Sequence, residues 1–140
     1  MNLVPITTQQ VVDTIHSHFF EKENPPGLDG EGRCTYLGPD GSRCAVGCLM
    51  PEALIRCEGN IVAGSITGVI REYPYIREFF SKVDIHLLQS IQSAHDSAAG
   101  RARQPYADDP GAYFRSLFLT GLREIFKWNA HDVVLPEVFK

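Results

Sequence analysis

The chain has 140 residues, the size of one domain, and its apolar fraction of 44% and charged fraction of 21% are those of a globular protein. Its formal charge of -4 disfavours general binding to nucleic acid or to an anionic membrane surface, although arginines in the second half could form a local basic patch. No window approaches the roughly 18 uninterrupted apolar residues of a membrane span, and residues 1–12 lack the pattern of a signal peptide. We therefore predict one cytoplasmic domain over residues 1–140, with no membrane span and with reduced cysteines.

The first predicted element is a helix from about Thr8 to Glu23. Thr7 or Thr8 can cap it, and Pro25 and Pro26 prevent its continuation. Its apolar positions follow helical spacing, and they are Val11, Val12, Ile15 and Phe19.

A β-hairpin is predicted next, near residues 33–47, around a turn formed by Gly38–Gly41. Pro39 presets φ at the first turn position, and Gly41 supplies the positive φ of a bulge residue. In that register one face of the hairpin carries Cys34, Tyr36, Cys44, Val46 and Cys48.

The remaining predicted elements are helical. A short helix spans Pro51 to about Cys57, one runs from Asp84 to Gly100, and another begins at Asp109. The stretch 61–70 is compatible with a buried strand or with a glycine-loosened helix, and both alternatives stay open. The predicted fold is therefore a mainly helical α+β domain with three to four helices and one hairpin.

Four cysteines and a histidine could bind zinc, since thiolate sulfur and imidazole nitrogen are its usual ligands. These candidate ligands are Cys34, Cys44, Cys48, Cys57 and His95. The preferred alternative is that the cysteines are small buried side chains, because the hairpin register points three of them into the core. In the same way, His95 borders the apolar face of its helix and is interpreted as a hydrogen-bonded core histidine, with Asp96 facing solvent or a nearby arginine. The sequence therefore predicts no cofactor, with zinc as the alternative.

A segment rich in arginine and aromatic residues is the candidate partner-binding surface, because such residues dominate binding hot spots. Its candidate contact residues are Arg71, Tyr73, Tyr75, Arg77 and Phe80. Pro74 predicts a break within this segment. The alternative is that these aromatic side chains are buried in the protein's own core.

Two stretches resemble small uncharacterised proteins of tailed bacteriophages and prophages. The first is Cys34–Pro51, which reads CTYLGPDGSRCAVGCLMP, and the second, looser match is Leu88–Asp96, which reads LQSIQSAHD. No agreed activity attaches to that family. The resemblance implies a bacterial cytoplasm as the compartment, and a role in host takeover or in countering bacterial defence.

The preferred hypothesis is a non-enzymatic phage accessory protein that binds and inhibits a bacterial host protein, since the sequence carries no complete catalytic signature. One alternative is a binder of a small anionic, nucleotide-like ligand held by arginines. A second alternative is a zinc-binding module or metal-dependent hydrolase. A homo-oligomer is compatible with each of these hypotheses.

Overall fold

The structure is a computed structural model that describes residues 3–29, 34–57, 64–103 and 107–140. The α-helices in these ranges are α1 (Thr8–Ile15), α2 (Glu52–Cys57), α3 (Ile66–Glu72), α4 (Pro74–Phe79), α5 (Ile85–Ala102) and α6 (Pro110–Asn129). None of them is both long enough and apolar enough to cross a membrane.

The first helix confirms the prediction closely. Thr7 accepts from the backbone N–H of Gln10, whose side chain in turn accepts from the N–H of Thr7, so a complete capping box begins α1. The chain then continues without interruption as a π-helix over His16–Glu21. This combined element buries Val11, Ile15 and Phe19 in the core.

The two long helices α5 and α6 pack against each other and form the framework of the core. Asp84 caps α5 by accepting from the N–H of His86, and Asp109 caps α6 by accepting from the N–H of Ala112, as the sequence predicts. Gly100, however, does not end α5, which runs on to Ala102.

The predicted β-hairpin at residues 33–47 is wrong, and the α+β class is wrong with it. Across the described ranges there is no β-strand, and strand-like pairing is limited to an isolated antiparallel bridge between Leu28 and Cys34. The predicted turn does form, since the N–H of Gly38 donates to Ser42 O at 2.8 Å and Gly41 has a φ of +84°. Residue 33 lies outside the described ranges.

The hairpin does not extend into paired strands, because the second arm leaves the first arm after one further bond, from the N–H of Cys44 to Thr35 O at 3.1 Å. The N–H of Val46 donates to the side-chain oxygen of Gln92 on α5 at 3.0 Å. The chain then coils, with the N–H of Cys48 donating to Cys44 O, and a 3-10 helix follows over Gly47–Leu49. The described part of the chain is therefore an all-helical fold with a long irregular segment between the π-helix and α2.

Pro74 breaks the helical path between α3 and α4, as predicted. The preceding residue, Tyr73, is extended with φ -114° and ψ 105°, the conformation that a following proline favours. Within the ambiguous stretch 61–70, residues 66–70 are helical, whereas residues 61–63 lie outside the described ranges.

Candidate functional site

Three potential ligand side chains meet where the irregular segment lies against α5. The sulfur of Cys34, a ring nitrogen of His95 and a carboxylate oxygen of Asp96 all lie within 4.8 Å of one another. Cys34 is placed by its bridge to Leu28, whereas His95 and Asp96 are consecutive residues of α5. We refer to these three residues as the Cys34–His95–Asp96 cluster.

His95 is the buried member of the cluster. Its ring is fully buried, and the rings of Phe19, Phe114 and Phe118 lie around it with centroids 5.4 to 5.8 Å away. Nε2 accepts a 3.2 Å hydrogen bond from the backbone N–H of Gly27. Because Nε2 is an acceptor in a neutral ring, Nδ1 carries the proton and donates to the carboxylate of Asp96 at 2.9 Å. His95 is thus a hydrogen-bonded core histidine, as predicted.

Asp96 is the centre of the hydrogen-bond network. Its Oδ1 accepts from His95 Nδ1 and, at 2.6 Å, from Gln92 Nε2, and the carboxylate also accepts from the thiol of Cys34. Burial by itself raises the pKa of Asp96, but these hydrogen bonds outweigh burial and hold the pKa below its usual range. The carboxylate is therefore ionised at neutral pH, and 43% of the side chain remains exposed.

The cysteines near the cluster are neutral thiols. Burial, followed by the hydrogen bond to Asp96 and the negative charge of that carboxylate, raises the pKa of Cys34. Burial raises the pKa of Cys44 to about 12 and also raises that of Cys48. A cysteine nucleophile needs a thiolate and an imidazole nitrogen that is free to accept its proton. Both nitrogens of His95 are occupied, so the arrangement does not fit a cysteine hydrolase.

An open cleft of about 320 Å³ lies beside the cluster. Cys34 and Asp96 line it, and so do Tyr36, Cys44, Gln89, Gln92 and Ser93. Asp96 provides the only charged side chain among the described lining residues. An anionic, nucleotide-like ligand would meet no arginine or lysine there, so this cleft gives no support to the first alternative hypothesis.

The structure brings together only some of the predicted zinc ligands. Cys34 and His95 meet, and Cys44 lines the same cleft. The thiol of Cys48 instead donates to the carbonyl of Ala45 at 3.1 Å. The side chain of Cys57 lies outside the part of the chain that the structure describes.

Asp96 is the member of the cluster that was not predicted as a candidate ligand. It was predicted to face solvent or an arginine, but it bonds to Cys34, His95 and Gln92 instead. The signal available in the sequence is the dipeptide His95–Asp96, which places an imidazole and a carboxylate next to each other on one helix.

The predicted partner-binding residues divide between surface and core. Arg71, Tyr75 and Arg77 are exposed, and Tyr75 keeps 46% of its surface accessible. Tyr73 is partly buried. Phe80 is only 3% exposed and packs edge to face against Phe79, so it belongs to the core.

Comparisons with protein-family models, with curated proteins and with solved structures find no match for this chain. The resemblance of Cys34–Pro51 and Leu88–Asp96 to phage proteins therefore stays a prediction.

Proposed function

We propose that the chain is a zinc-binding protein that holds one zinc ion between Cys34, His95 and Asp96. The observation that carries this proposal is the convergence of one sulfur, one imidazole nitrogen and one carboxylate oxygen within 4.8 Å. Zinc binds these atoms at about 2.0–2.3 Å in a tetrahedron, in which neighbouring ligand atoms are roughly 3.3–3.7 Å apart. Side-chain shifts of about 1 Å would therefore bring the three ligand atoms to the separations that zinc requires.

The donor types favour zinc over harder cations. A thiolate sulfur is a soft ligand, whereas magnesium and calcium prefer six or more oxygen ligands. The cluster offers a single carboxylate, which is too few oxygens for either of these ions. Sulfur, nitrogen and oxygen together form a combination that zinc accepts readily.

Zinc binding changes the proton positions in the cluster. The thiol of Cys34 must lose its proton, and the proton of His95 must move from Nδ1 to Nε2 so that Nδ1 can bind the metal. The N–H of Gly27 then loses its acceptor, which costs about 1–3 kcal/mol for a buried donor. Structural zinc sites with four ligands gain about 10–16 kcal/mol at pH 7, so even a much weaker three-residue site outweighs this loss.

The proposal is tested by zinc content and affinity. The purified full-length chain is loaded with zinc, passed through a desalting column and measured by elemental analysis, and its Kd is determined against a chromophoric chelator. We expect one zinc ion per chain, and at least about a 100-fold weaker affinity in Cys34→Ala, His95→Gln and Asp96→Asn. Cys48→Ser is the matched control, because its thiol bonds to Ala45 outside the cluster. A folded wild-type chain that retains no zinc contradicts the proposal, as does undiminished affinity in both Cys34→Ala and Asp96→Asn.

A second candidate function is the binding and inhibition of a bacterial host protein, in a bacterial cytoplasm, as a phage accessory protein. The observation that favours it is the exposure of Arg71 on α3 and of Tyr75 and Arg77 on α4, because tyrosine and arginine are frequent hot-spot residues. This function does not depend on a metal ion, so the same chain could carry both.

This candidate is tested by affinity capture from bacterial extract, with a tag-only control. We expect a stoichiometric host protein that is lost when Tyr75→Ala and Arg77→Ala are combined. The matched control combines Tyr113→Ala and Arg101→Ala, which remove another exposed tyrosine and arginine. Equal loss of the captured protein in both double variants, or its retention in both, rejects the surface on α3 and α4.

A further inference from the structure

We propose that the zinc ion of the Cys34–His95–Asp96 cluster keeps one coordination position open to the cleft and binds a small neutral nitrogen-donor ligand there. This inference rests on the proposed zinc site and specifies what that site does. It follows from three features: the number of protein ligands, the position of Cys44 and the charge of the metal centre.

The cluster supplies three ligands, whereas tetrahedral zinc takes four. Structural zinc sites are closed by a fourth protein ligand, and sites that bind an exogenous molecule keep that position open. The nature of this site therefore depends on whether another side chain of the protein reaches the metal.

Among the described residues, Cys44 is the other cysteine that lines the cleft, and its environment holds it in place. Its side chain is buried, and its sulfur accepts from the backbone N–H of Gly47 at 3.3 Å. That turn cannot shift easily, because Gly47 packs so tightly against Tyr36 that an added Cβ would lie 2.2 Å from the carbonyl oxygen of Tyr36. Cys44 is accordingly not among the side chains that converge within 4.8 Å.

The open position faces the cleft because the other side of the cluster is filled by protein. The ring of His95 is enclosed by aromatic side chains, whereas Cys34 and Asp96 line the cleft. The cleft volume of about 320 Å³ lies at the small end of the range for ligand pockets, which is about 300–1,000 Å³. A small molecule therefore fits there.

The charge of the loaded site selects the ligand class. A zinc ion of charge +2 with one thiolate, one carboxylate and one neutral imidazole has no net charge. The described cleft walls add no cation, and they offer the amides of Gln89 and Gln92 and the hydroxyl of Ser93. An anion gains little attraction in such a site, whereas a neutral nitrogen donor can bind the metal and hydrogen-bond to these groups.

The side chains that line the cleft favour ligand binding by the zinc site rather than hydrolysis. Hydrolytic zinc sites place a carboxylate or imidazole beside the metal-bound water as a general base. Once Asp96 and His95 are ligands, no such group remains among the described residues that line the cleft. We therefore expect a ligand-binding zinc site.

The inference is tested with cobalt(II), which substitutes for zinc and has a visible spectrum that reports coordination. The cobalt-loaded full-length chain is titrated with imidazole and, separately, with azide. We expect imidazole to change the spectrum in a saturable 1:1 manner, and azide to require at least a tenfold higher concentration. Cys44→Ala should bind cobalt and respond as the wild type does.

Two variants test whether the ligand enters through the cleft. At equal cobalt occupancy, Ser93→Phe should weaken imidazole binding at least tenfold, because Ser93 lines the cleft. Ser97→Phe is the matched control, since Ser97 is an exposed residue of the same helix that does not line the cleft.

The outcomes separate this inference from the zinc proposal itself. A chain that binds no cobalt overturns both. A wild-type chain that binds cobalt but does not respond to imidazole overturns this inference alone, and a response that appears only in Cys44→Ala identifies Cys44 as the fourth ligand. Equal imidazole affinity in Ser93→Phe and Ser97→Phe overturns the placement of the open position in the cleft.

Discussion

The backbone N–H of Gly27 donates a 3.2 Å hydrogen bond to Nε2 of His95, 68 positions further along the chain. This bond fixes the tautomer of His95 and joins the irregular segment to α5. The bond from Val46 to Gln92 and the contact of Cys34 with Asp96 join the same segment to the same helix. These side-chain and backbone contacts replace the ladder of a sheet.

His95→Phe tests the contribution of the His95 hydrogen bonds to stability. Phenylalanine keeps an aromatic ring among Phe19, Phe114 and Phe118, but it leaves the N–H of Gly27 without an acceptor and removes the donor to Asp96. We expect the free energy of unfolding to fall by about 1–3 kcal/mol in urea denaturation. The exposed His86 provides the control, and His86→Phe should change the value by less than about 0.5 kcal/mol. Equal effects of the two substitutions would show that the hydrogen bonds of His95 contribute nothing to stability.

Gly27→Ala tests how closely the irregular segment packs. An added Cβ would lie 2.1 Å from the backbone nitrogen of Cys44, so backbone must move, and we expect a loss of at least about 1–3 kcal/mol. Gly100→Ala is the matched control, because nothing lies within 4 Å of its Cβ position near the end of α5. That substitution should stabilise the chain by up to about 1 kcal/mol. Thermal unfolding of both variants measures the difference, and a Gly27→Ala variant as stable as Gly100→Ala contradicts the described packing.

His18 should make stability depend on pH. Burial, with the positive charges of Arg43 and Lys22, lowers the pKa of His18 from 6.5 to about 4. As the pH falls from 6.5 to 4, the unfolded chain binds a proton at this position and the folded chain does not, so stability decreases in this window. Below pH 4 both states are protonated and the loss stops.

Urea denaturation of His18→Gln across this pH range measures the effect. The slope of unfolding free energy against pH should decrease by up to about 1.4 kcal/mol per pH unit relative to wild type. His86→Gln, at an exposed position of α5, is the control. Parallel pH profiles for His18→Gln and wild type would exclude a buried, neutral His18.

Zinc affinity should also depend on pH, with a slope set by one proton. The thiol of Cys34 is protonated without metal, Asp96 is already ionised, and His95 keeps one proton by moving it between nitrogens. Binding therefore releases a single proton, and affinity should rise about tenfold per pH unit from about pH 7 to about pH 8.5. Chelator competition at several pH values measures this slope. A flat profile would mean that the thiol is ionised before metal binds.

The helices could be predicted from the sequence because their signals are local. Asp84 and Asp109 lie at the caps, Pro74 breaks the path, and apolar residues follow the helical period. The hairpin was wrong for a reason that local signals do not contain. The turn at Gly38–Gly41 forms and Cys44 still bonds to Thr35, but Val46 bonds to Gln92 on a helix that is distant in sequence.

The site was only partly predictable for the same reason. Cys34 and His95 were selected as candidate ligands by residue type alone. Their convergence depends on how the irregular segment docks on α5, which one sequence does not reveal. Asp96 was missed because it was expected to face solvent or an arginine, whereas three donors turn towards its carboxylate.

X-ray absorption at the zinc edge of the zinc-loaded full-length chain tests the central claim most directly, because it counts the ligands by element. We expect one sulfur at about 2.3 Å and the remaining ligands as nitrogen or oxygen at about 2.0–2.2 Å, with the sulfur lost in Cys34→Ala. A first shell with two or more sulfurs, or with none, would contradict a zinc site formed by Cys34, His95 and Asp96.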